Sequence, residues 1–400
     1  MSKTVLLTGG TGFLGSYLGY EFLKRGDHVI YLARENRSRT AEERVVNLLE
    51  CLDRQFRTSC PGTFEVWEGD VTQLHLGQSS GTIAAWRGRV DEVWHSAAVL
   101  NFRDTYEEVS ESININGTVK VLNMAHELGA ARFHHISTAY VSGTSPGTVL
   151  ESQVQHRYDF RNPYERTKYN AELEVRKLSE KFGFQTTVYR PAVIVGESGT
   201  GRSLSFTGFY NVAKIFHLIM RVLSQRVRHS PEKYARAGIV MNDDRVRFPL
   251  KFPCAVDSTV NLVPIDYVVD TIMKLSATPE SMGQTYHITN PNPPKIVELL
   301  TEGCRMVNLE GIEFVDCSFD NALQLIRNQI DYYAQFGLNI SFCLEIREYI
   351  HYLFGEPAFD MSNVSQTLRD SFHEPPRITT SFLRLLLTYA AGCQWRSMTS

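Results

Sequence analysis

The chain has 400 residues, enough for two domains or for one large domain with a lobe grown from it. Apolar residues make up 43% and charged residues 21%, the balance of an ordinary globule, and a net charge of −3 argues against a nucleic-acid binder. No run of eighteen apolar residues occurs, and the nearest candidate, SFLRLLLTYAAGC, carries Arg384 and reads as a packed helix rather than a membrane span.

The start, MSKTVLLTGG, enters a strand at once with no signal peptide before it, which points to a cytoplasmic location. Short β-rich runs follow at 4–8, 28–33, 64–69, 90–97, 132–138 and 185–191. Helical patterns lie between them, and Gly26, Gly129 and Gly183 close three of these. Strand–helix alternation at this spacing predicts right-handed βαβ units and a doubly wound parallel sheet of the α/β class. After about residue 196 the alternation fails. A strongly apolar helix is expected at 210–223, broken by Lys214, His217 and Arg221. It reads as a buried lobe helix or as the wall of an acyl tunnel. Strand-like runs return at 259–265 and 284–290, and from about 295 the chain reads as helical. The expected division is a Rossmann unit at 1–200 with a returning segment at about 254–290, and a mainly helical substrate lobe at 201–253 and 291–400. The seven cysteines (51, 60, 254, 304, 317, 343 and 393) show no metal or redox spacing and read as reduced thiols. No metal site is expected.

The stretch TGGTGFLG places Gly9, Gly12 and Gly15 three residues apart, after a strand and at the opening of a helix. A plain glycine-rich turn is the alternative, but the βαβ context favours a pyrophosphate cradle. Gly9 permits the tight turn, Gly12 lets backbone approach the ligand, and Gly15 lets the helix pack close to the strand. Thr11, Phe13 and Leu14 complete the loop. At the end of the second strand, NAD enzymes place an acid for the ribose hydroxyls. Here Ala33 stands in that place, Arg34 follows, and Arg44 on the next helix offers a second guanidinium. This favours NADPH, although Arg34 also fits a solvated surface residue beside Glu35.

Tyr164 and Lys168 in NPYERTK lie four residues apart on a predicted helix and share a face. A lysine beside a tyrosine is expected to lower the phenol's pKa and make it an acid–base catalyst. Thr138, at the end of the fifth strand, can hold a substrate oxygen. Asn114 can orient the lysine through water or simply cap a neighbour.

These motifs, with Gly-Asp-Val at 69–71, His-Ser-Ala-Ala at 95–98, Asn-x-x-Gly-Thr at 114–118, Ser-Thr-Ala-Tyr-Val at 137–141 and Arg-Pro-Ala-Val-Ile-Val-Gly at 190–196, occur in the order of extended short-chain dehydrogenases/reductases. The chain resembles the thioester-reductase and fatty-acyl-reductase, or male-sterility-type, branch. The specific pointers are YLAREN, STAYVSG and LVPIDYVVD at 262–270. The resemblance covers about residues 3–290. One departure is Thr167, where this branch often has serine before the active lysine. The resemblance implies Thr138, Tyr164 and Lys168 as the catalytic set. It also implies Asp70 and Val71 flanking the adenine, Ala97 and Ala98 along the cofactor's inner path, and Pro191, Ala192 and Val193 bordering the nicotinamide. Asp70 also fits a strand-end turn residue.

The implied activity is NADPH-dependent reduction of an acyl thioester, bound to a carrier protein or CoA, to an aldehyde and possibly on to an alcohol. A dehydrogenase, ketoreductase or epimerase acting on a free small molecule such as a sugar nucleotide shares the same motifs and stays open. Between Arg202 and Lys251, ten basic residues face three acids. That surplus suggests a docking surface, including Arg226 and Arg228, for an acidic acyl carrier protein, or else a solvated face.

Overall fold

The computed structural model describes residues 2–57, 60–152, 158–341 and 348–397. Cys343 lies outside the described residues. Seven strands form the central sheet: β1 (Thr4–Thr8), β2 (His28–Ala33), β3 (Thr63–Glu68), β4 (Glu92–His95), β5 (Arg132–Ile136), β6 (Gln185–Pro191) and β7 (Thr285–Ile288). Their order is β7-β6-β5-β4-β1-β2-β3 and every pairing is parallel. The order reverses between β1 and β4, where a doubly wound sheet opens its ligand crevice.

The helices on the sheet are α1 (Phe13–Lys24), α2 (Ala41–Phe56), α3 (Gly117–Leu128), α4 (Pro163–Phe182) and α6 (Ile265–Ala277). Those beyond it are α5 (Phe209–His229), α7 (Ile296–Met306), α8 (Phe319–Ala334) and α9 (Thr380–Gly392). Local chemistry sets the starts that matter. At α2, Thr40 and Glu43 form a reciprocal capping box. At α4, Asn162 Oδ1 accepts the Glu165 amide at 3.0 Å and Pro163 takes the first helical position. That cap fixes where the turn bearing Tyr164 begins.

One face of the sheet packs Val5, Leu7, Tyr31 and Trp94 against α1, α2 and α6, and the other packs Leu6, Val93 and Phe133 against α3. A separate core of Phe216, Leu223, Phe248, Leu300 and Ile326 joins α5, α7 and α8. The helix expected at 210–223 extends to His229 and is amphipathic: Phe216, Ile219 and Leu223 are buried while Lys214, Arg221 and Arg228 are exposed.

The run expected as a strand at 259–265 narrows to Leu262–Pro264 and stays out of the main sheet, pairing with Val193–Val195. Short strand pairs also interrupt the helical C-terminal region: Arg245–Arg247 with Leu309–Glu310, Lys251–Pro253 with Glu313–Val315, and Thr148–Val149 with Ala358–Phe359. Each carries chain from the last hundred residues back to an earlier segment. Among the described residues, no helix is long and apolar enough to cross a membrane.

Candidate active site

The glycine loop is built as its spacing demands. Gly9 has φ of +72°, and a Cβ there would lie 2.5 Å from the Ala97 amide. A Cβ on Gly15 would lie 2.2 Å from the Gly9 carbonyl oxygen, so α1 meets the turn only because position 15 has no side chain. Gly12 is the N-cap of α1 and no side chain caps it, which leaves the first-turn N–H groups of Phe13 and Leu14 open to an anion.

A cavity of about 370 Å³ starts at Gly9, Gly12 and Gly15 and runs past Ala98 to Thr138, Tyr164 and Lys168. Pro191, Ala192 and Val193 form its floor, and it continues between α5 and α7. Lys168 is its only charged lining residue among those described. Ala97 borders the loop from β4's end, its amide 3.4 Å from the Thr8 hydroxyl.

Thr138 and Tyr164 both line this cavity, and the Thr138 hydroxyl donates to the Pro191 carbonyl at 3.4 Å. Burial pushes the Tyr164 phenol up to about 12, the neighbouring Glu165 charge adds to this, and the Thr138 contact opposes it. Burial outweighs any lowering by the lysine that the sequence suggests. The lysine's Nζ donates to the Ile136 carbonyl at 2.7 Å, and burial lowers Lys168 to about 8 against the pull of Glu172. Glu172 is itself locked to Arg190: the guanidinium donates to both carboxylate oxygens at 2.9 and 2.7 Å, and both side chains have no solvent exposure. This pair ties α4 to β6 one helical turn beyond Lys168.

Asn114 lies in a π-helical segment, Ser112–Asn116, just before α3. Its amide nitrogen donates to the Thr167 hydroxyl at 2.9 Å, and its oxygen accepts the Val99 amide at 2.8 Å. It clamps the loop after β4 to α4. Thr167 fills the serine position and takes that bond.

Arg34, Arg44 and Asp70 gather at the ends of β2 and β3. Arg34 pairs with Asp70 at 3.0 Å and its side chain is 62% exposed. Arg44 donates to the Arg34 carbonyl at 2.7 Å and to the Thr11 hydroxyl at 3.3 Å, which links this corner to the glycine loop. Burial raises the Asp70 carboxyl, but bonds from the Thr72 amide and hydroxyl and from Arg34 bring it below its ordinary value. Val71 packs against Gly117 rather than lining the cavity.

The sequence reading misses a second polar cluster beside Tyr164 and Thr138. Tyr352 donates to Glu165 at 2.8 Å, Asn162 donates to the Tyr352 hydroxyl at 2.8 Å, and Tyr140 donates to Glu356 at 2.7 Å. Burial raises Glu356 to about 7. Tyr140 lies inside the STAYVSG motif, the only signal for it. Tyr352 and Glu356 come from a segment without a motif.

The basic residues of 202–251 lie on the surface and none lines the cavity. Arg228 pairs with Asp244, Arg245 with Glu310 and Lys251 with Glu313, which neutralises part of the surplus. Cys254 is buried, and burial raises its thiol to about 11, so it is a core residue.

A family model described as male sterility protein, an NAD-binding family, matches residues 7–272. The carboxylic acid reductase of Mycobacterium tuberculosis is 26% identical over 306 residues, which are 72% of this chain and 24% of that protein. The chain spans between 6 and 24% of the length of the first curated relatives it matches. Two solved structures share the fold. The terminal R domain of the myxalamid PKS-NRPS biosynthetic pathway is 22% identical with a TM-score of 0.71, covering 98% of this chain and 92% of that one. A thiolation-reductase di-domain from an archaeal non-ribosomal peptide synthetase is 19% identical with a TM-score of 0.70, covering 99% and 76%. With two thirds of its length inside the family match, and with the glycine loop, Tyr164 and Lys168 on one crevice, this chain belongs to the male sterility protein family and its Rossmann unit binds a nicotinamide cofactor.

Proposed function

We propose that this oxidoreductase reduces an acyl thioester to an aldehyde with NADPH, the acyl group arriving on a carrier protein or CoA. The observation that carries this reading is the single cavity that joins the glycine loop to Thr138, Tyr164 and Lys168 and then continues into an apolar wall. The reductase and thiolation-reductase relatives support it. A sugar nucleotide needs cations for its diphosphate, and the arginines of 202–251 that would supply them stand outside the cavity. This disfavours the epimerase alternative.

The residues present fit NADPH. Gly9, Gly12 and Gly15 would hold its pyrophosphate, Arg34 and Arg44 its 2′-phosphate, and Lys168 its nicotinamide ribose. Bound there, it supplies the hydride. The chain's own contribution is to orient and protonate. Thr138 and Tyr164 present two hydroxyls to the thioester carbonyl and stabilise the oxygen as negative charge develops on it. A phenol near 12 keeps its proton at neutral pH and gives it to that stronger oxyanion base. The carbon–sulfur bond of the hemithioacetal then breaks, which leaves an aldehyde and a thiol. Lys168, mostly charged at neutral pH, follows Tyr164 by one helical turn and lines the same cavity.

The basic face of α5 would dock the carrier. Lys214, Arg221 and Arg228 recur every seven residues and share one exposed stripe, with Arg226 beside its C-terminal end. The deciding experiment measures NADPH consumption with acyl-carrier and acyl-CoA thioesters, free ketones and sugar nucleotides, with products identified, for the native chain and Tyr164→Phe. Aldehyde from thioesters alone, lost in Tyr164→Phe while NADPH still binds, is expected. Turnover of free ketones or sugar nucleotides without thioester reduction would overturn the assignment.

A further inference from the structure

A buried chain of hydrogen bonds runs from the glycine loop to the helix bearing Tyr164 and takes no part in the hydride and proton steps. His95, the last residue of β4, lies at its centre and is buried. Its Nδ1 is 2.7 Å from the Thr8 hydroxyl and its Nε2 is 2.8 Å from the Thr118 hydroxyl. Thr8 ends β1 immediately before Gly9, and its hydroxyl also accepts the Ala97 amide at 3.4 Å. Thr118 stands in the first turn of α3 and donates to the Asn114 carbonyl at 2.6 Å. The Asn114 amide donates to the Thr167 hydroxyl at 2.9 Å, and that hydroxyl donates to the Tyr164 carbonyl at 3.1 Å.

Donor counting fixes the protons on this chain. The Asn114 carbonyl can only accept, so the Thr118 hydroxyl spends its one proton there and accepts from His95 Nε2. Burial lowers the His95 ring to about 3, the Lys168 charge adds to this, and the imidazole is neutral. With its single proton on Nε2, the ring offers Nδ1 as a bare acceptor for the Thr8 hydroxyl, whose oxygen then takes the Ala97 amide. His135, its register partner on β5, is equally buried, yet neither of its ring nitrogens has a hydrogen-bond partner among the described residues. Burial in this layer does not by itself build such a chain.

We propose that His95 is a positioning residue whose two ring nitrogens serve two ends: Nδ1 holds the glycine turn and the Ala97 strand exit for the cofactor, and Nε2 holds the Asn114 turn and, through Thr167, the first turn of the Tyr164 helix. The cofactor half rests on nicotinamide binding alone, and only the turnover readout rests on the thioester-reductase reading. Two side chains imitate the ring one half at a time. An asparagine oxygen replaces the Nδ1 acceptor and leaves Thr118 without its donor. A glutamine amide replaces the Nε2–H donor and leaves Thr8 without its acceptor.

The test measures NADPH affinity by calorimetry, amide hydrogen exchange over residues 163–170, and kcat with octanoyl-CoA at saturating NADPH. In His95→Asn, affinity should stay within about twofold while exchange quickens and kcat falls roughly fivefold or more, the scale of a buried polar group left unpaired. In His95→Gln, NADPH should bind roughly fivefold or more weakly, with exchange and kcat held within about twofold. Thr118→Val should reproduce the first pattern and Thr8→Val the second, each with the ring intact, and this pair carries the test if a His95 variant does not fold. If the native chain reduces no thioester but affinity and exchange still separate in this way, the thioester reading fails and the role of His95 stands. Variants that lose affinity and helix protection together, or that lose melting temperature with neither readout moved, would overturn it.

Discussion

Replacing Glu172 by alanine removes the carboxylate that neutralises Arg190 in the middle of the protein. Both side chains are fully shielded from water, and the guanidinium spends two charge-assisted bonds, at 2.9 and 2.7 Å, on this one partner. What remains to Arg190 includes the Glu151 carbonyl at 3.2 Å and the His287 ring nitrogen at 3.4 Å, neither of which carries a negative charge. Stranding a buried charge in this way costs about 3–5 kcal/mol, whereas exchanging the whole pair for apolar residues of similar volume is close to neutral. Glu172→Ala should therefore lower the stability of the sheet unit by that amount, and Glu172→Leu with Arg190→Met should recover most of it. Urea unfolding followed by tryptophan fluorescence is a suitable assay, because Trp94 is fully buried on β4 beside the pair's own sheet. A functional effect accompanies the loss. Glu172 supports the charge on Lys168, so its removal should move the Lys168 pKa further below its present value of about 8. Any alkaline limb in the rate profile that reports Lys168 should then shift to lower pH in Glu172→Gln. A stability loss below about 1 kcal/mol, or a double variant no more stable than the single one, would refute the reasoning.

Replacing Arg34 and Arg44 together by alanine should raise KM for NADPH on the order of tenfold or more and leave KM for NADH nearly unchanged, since two charge-assisted contacts to a phosphate are lost; steady-state kinetics with both cofactors decide it. Glu356 has its pKa raised from 4.5 to about 7, chiefly by burial. Between those values the folded chain holds a proton that the unfolded chain has released, so stability falls as pH rises through this window, by on the order of 3 kcal/mol. Glu356→Gln keeps an acceptor for Tyr140 and should remove that part of the slope, read from melting temperatures across pH 5–8. Reversing charge at Arg226 and Arg228 should slow turnover of a carrier-bound thioester severalfold and spare a short free thioester, with added salt mimicking the change; equal losses on both substrates would exclude docking on this face.

The sheet was legible because each strand of a doubly wound unit is punctuated by turn chemistry. The runs at 4–8, 28–33 and 185–191 match β1, β2 and β6 residue for residue. Tyr164 and Lys168 were legible because a helix converts four-residue spacing into a shared face. What sequence spacing does not carry is contact across the chain. Tyr352 reaches Glu165 over 187 residues, and Arg190 reaches Glu172 across a helix-to-strand return; neither partner marks the other in the sequence. The run at 259–265 has the composition of a strand, yet composition cannot say which sheet it joins. The rise in the Tyr164 pKa was not legible for a related reason: adjacency to Lys168 is visible in the spacing, but the desolvation that outweighs it is a property of the assembled core.

That desolvation bears on how Tyr164 holds its proton. An oxidising enzyme of this type needs its tyrosine as a phenolate at working pH, and a lysine that lowers the phenol's pKa serves that end. Here burial and the Glu165 charge act together to keep the phenol protonated, with Thr138 as the opposing contact, while the lysine's ammonium is turned to a backbone carbonyl. Glu165 holds this position through its bond from Tyr352, and Tyr352 belongs to the segment that closes over the cavity. The same contact that brings the C-terminal region to the helix bearing Tyr164 thus fixes the carboxylate that adds to the rise in the phenol's pKa. Raising the phenol's pKa keeps it protonated but makes it a weaker acid, so in the proposed reduction Tyr164 would give up its proton only once the bound oxygen has become a stronger base than the phenolate.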